Sequence, residues 1–146
     1  MDEKIFEDVQ LELAALVRNI TSVTSDKTLG LDRSGYLILH HLIENGAAGT
    51  KAIAHHFRLD ISTASRQARA LEEKGYVYRI PNPEDKRAYA FDITQAGSAQ
   101  FEAYKQFKVL RIQKLLTGWS EAELHQFSKL LQKSNASFKT YDRGEL

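Results

Sequence analysis

The stretch LDISTASRQARALEEKGYVYRIPNPEDKRAYAFDITQAG, residues 59–97, decides the fold of this chain. It begins as a short amphipathic helix in which Ala64, Ala68 and Leu71 recur at helical spacing and form a stripe suited to burial. A Lys-Gly stop follows, and two strands then flank the charged, proline-bearing loop PNPEDK. A helix followed by a basic hairpin predicts a winged helix-turn-helix, whose helix enters a major groove of DNA while the loop reaches an adjacent minor groove.

The composition of the 146 residues is that of a folded soluble protein, with 42% hydrophobic and 27% charged residues. No apolar run approaches the roughly 18–20 residues that span a bilayer, and the acidic start MDEKIFED is unlike a signal peptide, so we expect a cytoplasmic protein without membrane contact. The absence of cysteine excludes disulfides and zinc ribbons. No Gly-rich phosphate loop, HExxH or GxSxG motif occurs, which argues against an enzyme.

Charge is distributed unevenly, although the formal net charge is only +1. Residues 1–50 carry 4 Lys/Arg against 8 Asp/Glu, residues 51–97 carry 8 against 6, and residues 98–146 carry 8 against 5. A nearly neutral chain is a poor candidate for coating nucleic acid. Any affinity for DNA would therefore have to come from the positions of individual arginine side chains.

Apolar periodicity and turn signals predict six helices and two strands. The predicted helices are 5–20, 33–44, 50–57, a fourth from 60–62 to 74–75, a fifth from 94 to 117–118, and a sixth from 120; the predicted strands are 76–80 and 87–93. The side chains expected to cap helices are Asp32, Thr50, Thr94, and Ser120 with Glu123 as a capping box. The fold class is therefore mostly α with a small β-wing.

The terminal helices carry more apolar surface than a DNA-binding core of about residues 31–97 can cover. Uncovered apolar stripes of that size usually mark an interface. We therefore expect residues 1–146 to form a single domain that assembles as a homodimer. Its dimerisation helices would be about 4–22 and 95–140.

These residues resemble the MarR family of bacterial and archaeal regulators. The resemblance rests on residues 62–79 and 83–97, where Asp85 and Arg87 at the wing precede an alternating strand and the Ile93-Thr94-x-x-Gly97 motif. The segment LDRSGYLILHHL at 31–42 is similar to the family's second helix, so the match covers essentially the whole chain. The resemblance implies a triangular homodimer that binds double-stranded pseudo-palindromic DNA, usually as a repressor. Many members are released from DNA by a small aromatic or phenolic effector and others respond to metals or oxidants, so the resemblance leaves the effector open.

The polar face of the fourth helix carries the candidate base-contacting side chains. These are Ser62, Thr63, Ser65, Arg66 and Arg69, all of which lie off the buried stripe. Arg66 is the first choice for guanine, because a guanidinium matches the O6 and N7 acceptors bidentately. The alternative is a solvated helix face on which Arg69 pairs with Glu73.

At the wing, Arg87 is the candidate minor-groove probe, since a narrow minor groove concentrates negative potential. Lys86 would contact phosphates, as would Lys51 in the first turn of the third helix. The resemblance gives Asp85 a role in orienting the wing. The alternative is a hairpin tip that is charged for solubility.

The histidines do not predict a metal site. His40-His41 and His55-His56 are adjacent pairs, and neighbours on a helix diverge by about 100° and cannot share one ion. No metal or other cofactor is therefore expected.

For an effector, the resemblance points to a cleft between the second and fifth helices, which Arg18, Tyr36, His40 and Tyr104 would line. The alternative places these aromatic side chains in the core. The ligand-binding residues therefore stay unknown. The competing hypothesis for the whole chain is a winged helix that serves protein interaction or nonspecific architectural DNA binding.

Overall fold

The computed structural model describes residues 1–23 and 30–141, and it confirms a mostly helical fold with a small β-wing. The elements are α1 (Glu3–Val23), α2 (Arg33–Asn45), β1 (Ala48–Gly49), α3 (Thr50–Phe57), α4 (Ile61–Glu73), β2 (Val77–Pro81), β3 (Tyr89–Ile93), α5 (Gln95–Leu115) and α6 (Glu121–Thr140). The chain divides into two compact units, Met1–Gln106 and Phe107–Leu146. In the two described ranges, no helix is long and apolar enough to cross a membrane.

The three strands form one antiparallel sheet in the order β1-β3-β2. Along the hairpin, Val77 pairs with Ile93 and Pro81 with Tyr89. β1 adds a two-residue edge, where Ala48 pairs with Phe91. Sequence analysis missed β1 because two residues are too few to show the alternation that identifies a strand.

The core of the first unit lies where α2, α3, α4, the sheet and the start of α5 meet. The predicted stripe of α4 is confirmed, since Ala64, Ala68 and Leu71 are all buried. The other core members are Leu31, Ile38, Leu39, Leu42, Ala48, Ile53, Ala54, Val77, Phe91, Phe101 and Tyr104. Small alanines on α4 let it lie close to its neighbours while its opposite face stays in solvent.

Side-chain caps fix most helix starts, as predicted. The Asp32 carboxylate accepts the Gly35 N–H at 2.7 Å, and Ser120 with Glu123 forms a complete capping box. The prediction that Thr50 caps α3 is wrong. Thr50 is already helical and the cap position is Gly49, because β1 holds Gly49 in the sheet and the helix begins directly after it.

The turn between α3 and α4 is made without glycine. Arg58 adopts a left-handed backbone conformation with φ of 55°, which is uncommon for a residue with a Cβ. The following Leu59 N–H donates to the Ala54 carbonyl at 2.9 Å, which closes the end of α3. This turn joins the two helices of the helix-turn-helix.

The Ile93-Thr94-x-x-Gly97 motif joins the wing to α5. Thr94 Oγ1 donates to the Gly75 carbonyl at 2.7 Å and accepts the Gly97 N–H at 2.9 Å, so Thr94 caps α5 as predicted. A Cβ at Gly97 would overlap the backbone carbonyl of Tyr76 and lie 2.9 Å from Ile93 Cγ1. The motif therefore allows α5 to approach the turn between α4 and β2.

We expect Gly97→Ala to lower the free energy of unfolding by about 3 kcal/mol, the upper end for overpacking, because the added methyl meets a backbone atom that cannot rotate away. Urea denaturation followed by circular dichroism measures the change. Gln95→Ala is the control, since Gln95 is exposed in the same helical turn. Equal stability of the two variants would contradict the close approach.

Candidate nucleic-acid interface

The solvent face of α4 gathers the predicted base-contacting side chains. Ser62, Arg66 and Arg69 are exposed, while Thr63 and Ser65 are half-buried. A shallow depression of about 500 Å³ is lined by Ser62, Ser65, Arg66, Arg69, Ala70 and Glu73. An exposed polar face opposite a buried apolar one is what a helix needs to enter a groove while its other side stays packed.

A hydrogen-bond network organises the N-terminus of α4 around the Asp60 carboxylate. Asp60 accepts the Thr63 N–H at 2.7 Å, the Ser62 hydroxyl at 2.6 Å and the Thr63 hydroxyl at 3.0 Å. Arg66 Nη2 in turn donates to Thr63 Oγ1 at 3.4 Å. The Ser62 and Thr63 hydroxyls lie off the buried stripe of α4, as predicted, but their hydrogen bonds to Asp60 were not predicted.

These contacts lower the pKa of Asp60 to about 2, from an ordinary value of 3.8. The hydrogen bond from the Ser62 hydroxyl has the largest effect, followed by the backbone and side-chain bonds from Thr63. Hydrogen bonds to the charged form of an acid favour that form. The cap is therefore ionised throughout the physiological range.

A pH-dependent contribution to stability follows from this shift. Because the pKa of Asp60 is depressed in the folded state, its stabilisation is complete above about pH 4 and is lost as the pH falls toward 2. We expect Asp60→Ala to lower the urea midpoint at pH 6, and the gap to the unmodified protein to narrow on acidification. Glu84→Ala, which removes an exposed carboxylate from the hairpin, is the control. A gap that stays constant down to pH 2 would contradict the assignment.

A larger cleft, of about 580 Å³, separates α4 from the hairpin. Four of the predicted site residues line it: Lys51, Ser65, Arg69 and Asp85. The end of α2 and the loop before α3 form its floor, and residues 82–85 of the hairpin form one wall. The cleft therefore connects the solvent face of α4 with the base of the wing.

The hairpin tip is ordered by its own hydrogen bonds. Asp85 Oδ1 accepts the Arg87 N–H at 3.0 Å, and the Ala88 N–H donates to the Asp85 carbonyl at 3.1 Å. Asn82 Oδ1 accepts the Glu84 N–H at 3.0 Å. The side chains of Lys86 and Arg87 project from this turn into solvent, where they do not line the cleft.

Arg79 of β2 is a cleft residue that sequence analysis did not select. Its Nε lies 2.8 Å from Oε2 of Glu72 in the last turn of α4. Its guanidinium also stands 5.6 Å from the ring centroids of both Tyr89 and Phe91. In the sequence, this pair is visible only as a glutamate and an arginine seven positions apart, on either side of the Gly75 turn.

Two histidines from the two adjacent pairs meet between α2 and α3. The His41 and His56 rings are 4.1 Å apart, and Asn45 lies 3.1 Å from His41 Nδ1. Burial lowers the pKa of His41, and the neighbouring His56 and His40 lower it further. Among residues 1–23 and 30–141, no three His, Asp or Glu side chains converge as a metal site would require.

The aromatic side chains considered for an effector cleft are packed against one another. The Tyr36 ring stacks on Phe101 at 4.8 Å with an 11° tilt and lies 4.8 Å from the Tyr104 ring. Phe101 and Tyr104 belong to the core. Tyr36 and Tyr104 therefore occupy the packing role that was the alternative to lining a cleft.

The comparisons with known proteins find similarity to transcriptional regulators. The sequence model of the MarR family matches residues 31–89. The uncharacterized HTH-type transcriptional regulator YxaD of Bacillus subtilis is 41% identical over 90% of this chain and 94% of its own length. The HTH-type transcriptional repressor MdtR of Bacillus subtilis is 23% identical over 97% and 92%, respectively. A MarR family protein from Bacillus stearothermophilus has the same fold, with a TM-score of 0.79 at 16% identity, over 96% of this chain and 99% of that one.

Proposed function

This chain belongs to the MarR family of transcriptional regulators, and on that premise we propose that it is a repressor that binds a pseudo-palindromic operator as a homodimer. The observation that carries the proposal is the single surface that contains the polar face of α4, the cleft and the hairpin. The name of MdtR as a repressor supports the direction of regulation.

In this function α4 enters the major groove and Arg66 donates to the O6 and N7 atoms of a guanine. The hydroxyls of Ser62, Thr63 and Ser65, together with Arg69, contact neighbouring base edges and phosphates. Ser62, Ser65, Arg66 and Arg69 line one depression on the solvent face of α4, which supports this assignment for those four side chains.

The wing contacts the adjacent minor groove through Arg87, with Lys86 on the phosphate backbone and Asp85 orienting the turn. The Asp85 hydrogen bond to the Arg87 N–H supports the orienting role. Lys51, at the opposite side of the cleft, contacts a further phosphate.

The homodimer is supported by apolar side chains that each unit leaves in solvent. On α1 these are Ile5, Val9, Leu13, Val17 and Ile20, and in the second unit they include Val109, Leu110, Ile112, Leu115, Leu124, Leu131 and Phe138. Water contact with so many large side chains is costly, and a second copy of the chain removes it. Two DNA-binding cores then contact half-sites about 10 bp apart.

Operator binding is regulated by a shift in the populations of two states of the dimer. The spacing of the two cores fits the operator in one state of the dimer, and a small aromatic or phenolic effector that binds another state better releases the DNA. The packed Tyr36–Phe101–Tyr104 rings mean that an effector between α2 and α5 has to displace core contacts.

The test is selection from a pool of random DNA duplexes at near-physiological salt, followed by sequencing of the retained molecules. We expect enrichment of an inverted repeat with half-sites about one helical turn apart. Retention without sequence enrichment would favour a nonspecific architectural protein. No retention would favour a protein-interaction module, and either result would overturn the proposal.

A further inference from the structure

We infer that Arg79 is a positioning residue for DNA binding, which braces the wing against the recognition helix α4 through Glu72. The inference rests on the proposed function, since it concerns how two DNA-contacting elements are held in register. It assigns Arg79 no contact with DNA.

The brace consists of contacts on two sides of one guanidinium. On one side, Arg79 Nε lies 2.8 Å from Glu72 Oε2, which joins β2 to the last turn of α4. On the other side, the guanidinium lies 5.6 Å from the centroids of Tyr89 and Phe91, both on β3. Phe91 is also the direct cross-strand partner of Arg79. Arg79 thus links α4, β2 and β3, the three elements that set the direction of the hairpin.

The direction of the hairpin depends on the contacts of Arg79, because these contacts lie between the Gly75 turn and the hairpin tip. A strand rises about 3.3 Å per residue, so the five residues of β2 carry the tip about 16 Å away from the Gly75 turn. A tilt of about 10° at that turn would move Lys86 and Arg87 by about 3 Å over such a lever. Groove contacts tolerate only about 0.5 Å of misplacement. Loss of the brace would therefore uncouple the wing from α4 without unfolding either.

A simpler alternative is that Arg79 itself contacts a phosphate, because its side chain is 37% exposed and lines the cleft. The two roles differ in which charges positions 79 and 72 must carry. If Arg79 contacts a phosphate, position 79 must be positively charged. If Arg79 positions the wing, positions 79 and 72 need only carry opposite charges.

The experiment is therefore a charge exchange, measured as the dissociation constant for the selected operator at several salt concentrations. We expect Arg79→Glu to weaken binding about tenfold, since it replaces a hydrogen-bonded ion pair by two like charges. The double variant Arg79→Glu/Glu72→Arg should recover to within about threefold of the unmodified protein. The matched control Arg79→Glu/Glu73→Arg has the same net charge without the pair, and it should not recover.

A second measurement separates positioning from folding. Arg87→Ala should weaken operator binding in the unmodified protein and have a much smaller effect in an Arg79→Gln background, because an unbraced wing contributes little. Thermal unfolding of each variant shows whether the fold is kept.

Failure of the charge exchange to restore binding, or full additivity of Arg79→Gln and Arg87→Ala, would overturn the inference while leaving the proposed function intact. Absence of operator binding by the unmodified protein would instead remove the proposed function and the inference together.

Discussion

Replacing Leu131 by glutamate is expected to convert the proposed homodimer into monomers and to weaken operator binding by at least about 10²-fold, the usual gain from linking two binding modules. Each DNA-binding core should remain folded, since Leu131 lies outside the first unit and α6 contributes nothing to its core. What is lost is the simultaneous use of two half-sites.

The reason lies in the apolar stripe of α6. Leu124, Phe127, Leu131 and Phe138 follow one another at intervals of three, four and seven, which places them on one helix face. Leu131 is 41% and Phe138 61% exposed in the isolated chain, and none of the described residues of α6 is buried. An exposed apolar stripe of this kind usually marks an interface. A carboxylate at its centre would be buried without a counter-charge.

The measurement is molar mass by light scattering, together with operator affinity. The matched control is Gln126→Glu, which adds the same charge to the opposite face of α6 and should leave the dimer intact. Binding to a duplex with a single half-site should be similar for both variants. A dimeric Leu131→Glu variant would place the interface elsewhere.

Local patterns predicted most of the fold because the interactions that fix it are local. The stripe of α4 follows from helical spacing, and the predicted caps by Asp32, Thr94 and Ser120 each act within three residues along the chain. The terminal helices were predicted from apolar content in the same way. Interactions within a few residues leave a periodic signature that a single sequence can show.

What the sequence did not predict depends on contacts between distant segments. β1 exists because Ala48 pairs with Phe91, and the adjoining Gly49, rather than Thr50, is the cap of α3. The second hairpin strand is also shorter than predicted and begins at Tyr89, because Arg87 belongs to the turn that the Asp85 side chain closes.

The candidate site shows the same division. The cationic and hydroxyl side chains of α4 and the wing were predicted as site residues from residue type and position. Their network with Asp60 and the brace between Glu72 and Arg79 required the orientation of side chains, which residue type alone does not specify. The exposed Arg66 was identified, but its contact with Thr63 was not.

Arg66→Ala is expected to abolish the preference for one guanine in each half-site, with a loss of about 1–3 kcal/mol of discrimination, or roughly 5- to 150-fold. Arg66 lies on the exposed face of α4, in the second turn, and its Nη2 atom reaches back to Thr63 at the N-terminal end of the helix. That end of a recognition helix comes closest to the base edges. Binding to sequences that lack this guanine should change little.

Lys86→Ala is the contrasting variant, because a lysine on the hairpin tip that contacts phosphate carries no information about sequence. It should weaken binding to every duplex by a similar factor and reduce the salt dependence by about one unit of slope.

Arg66→Lys adds a decisive comparison. It keeps the charge but lacks the planar fork that matches O6 and N7, so it should lose the guanine preference while keeping the salt slope. Affinities for the operator and its single-base variants at three salt concentrations measure both quantities. If Arg66→Ala and Lys86→Ala weakened all sequences equally, Arg66 would be a phosphate contact and the base contacts would belong to other side chains of α4.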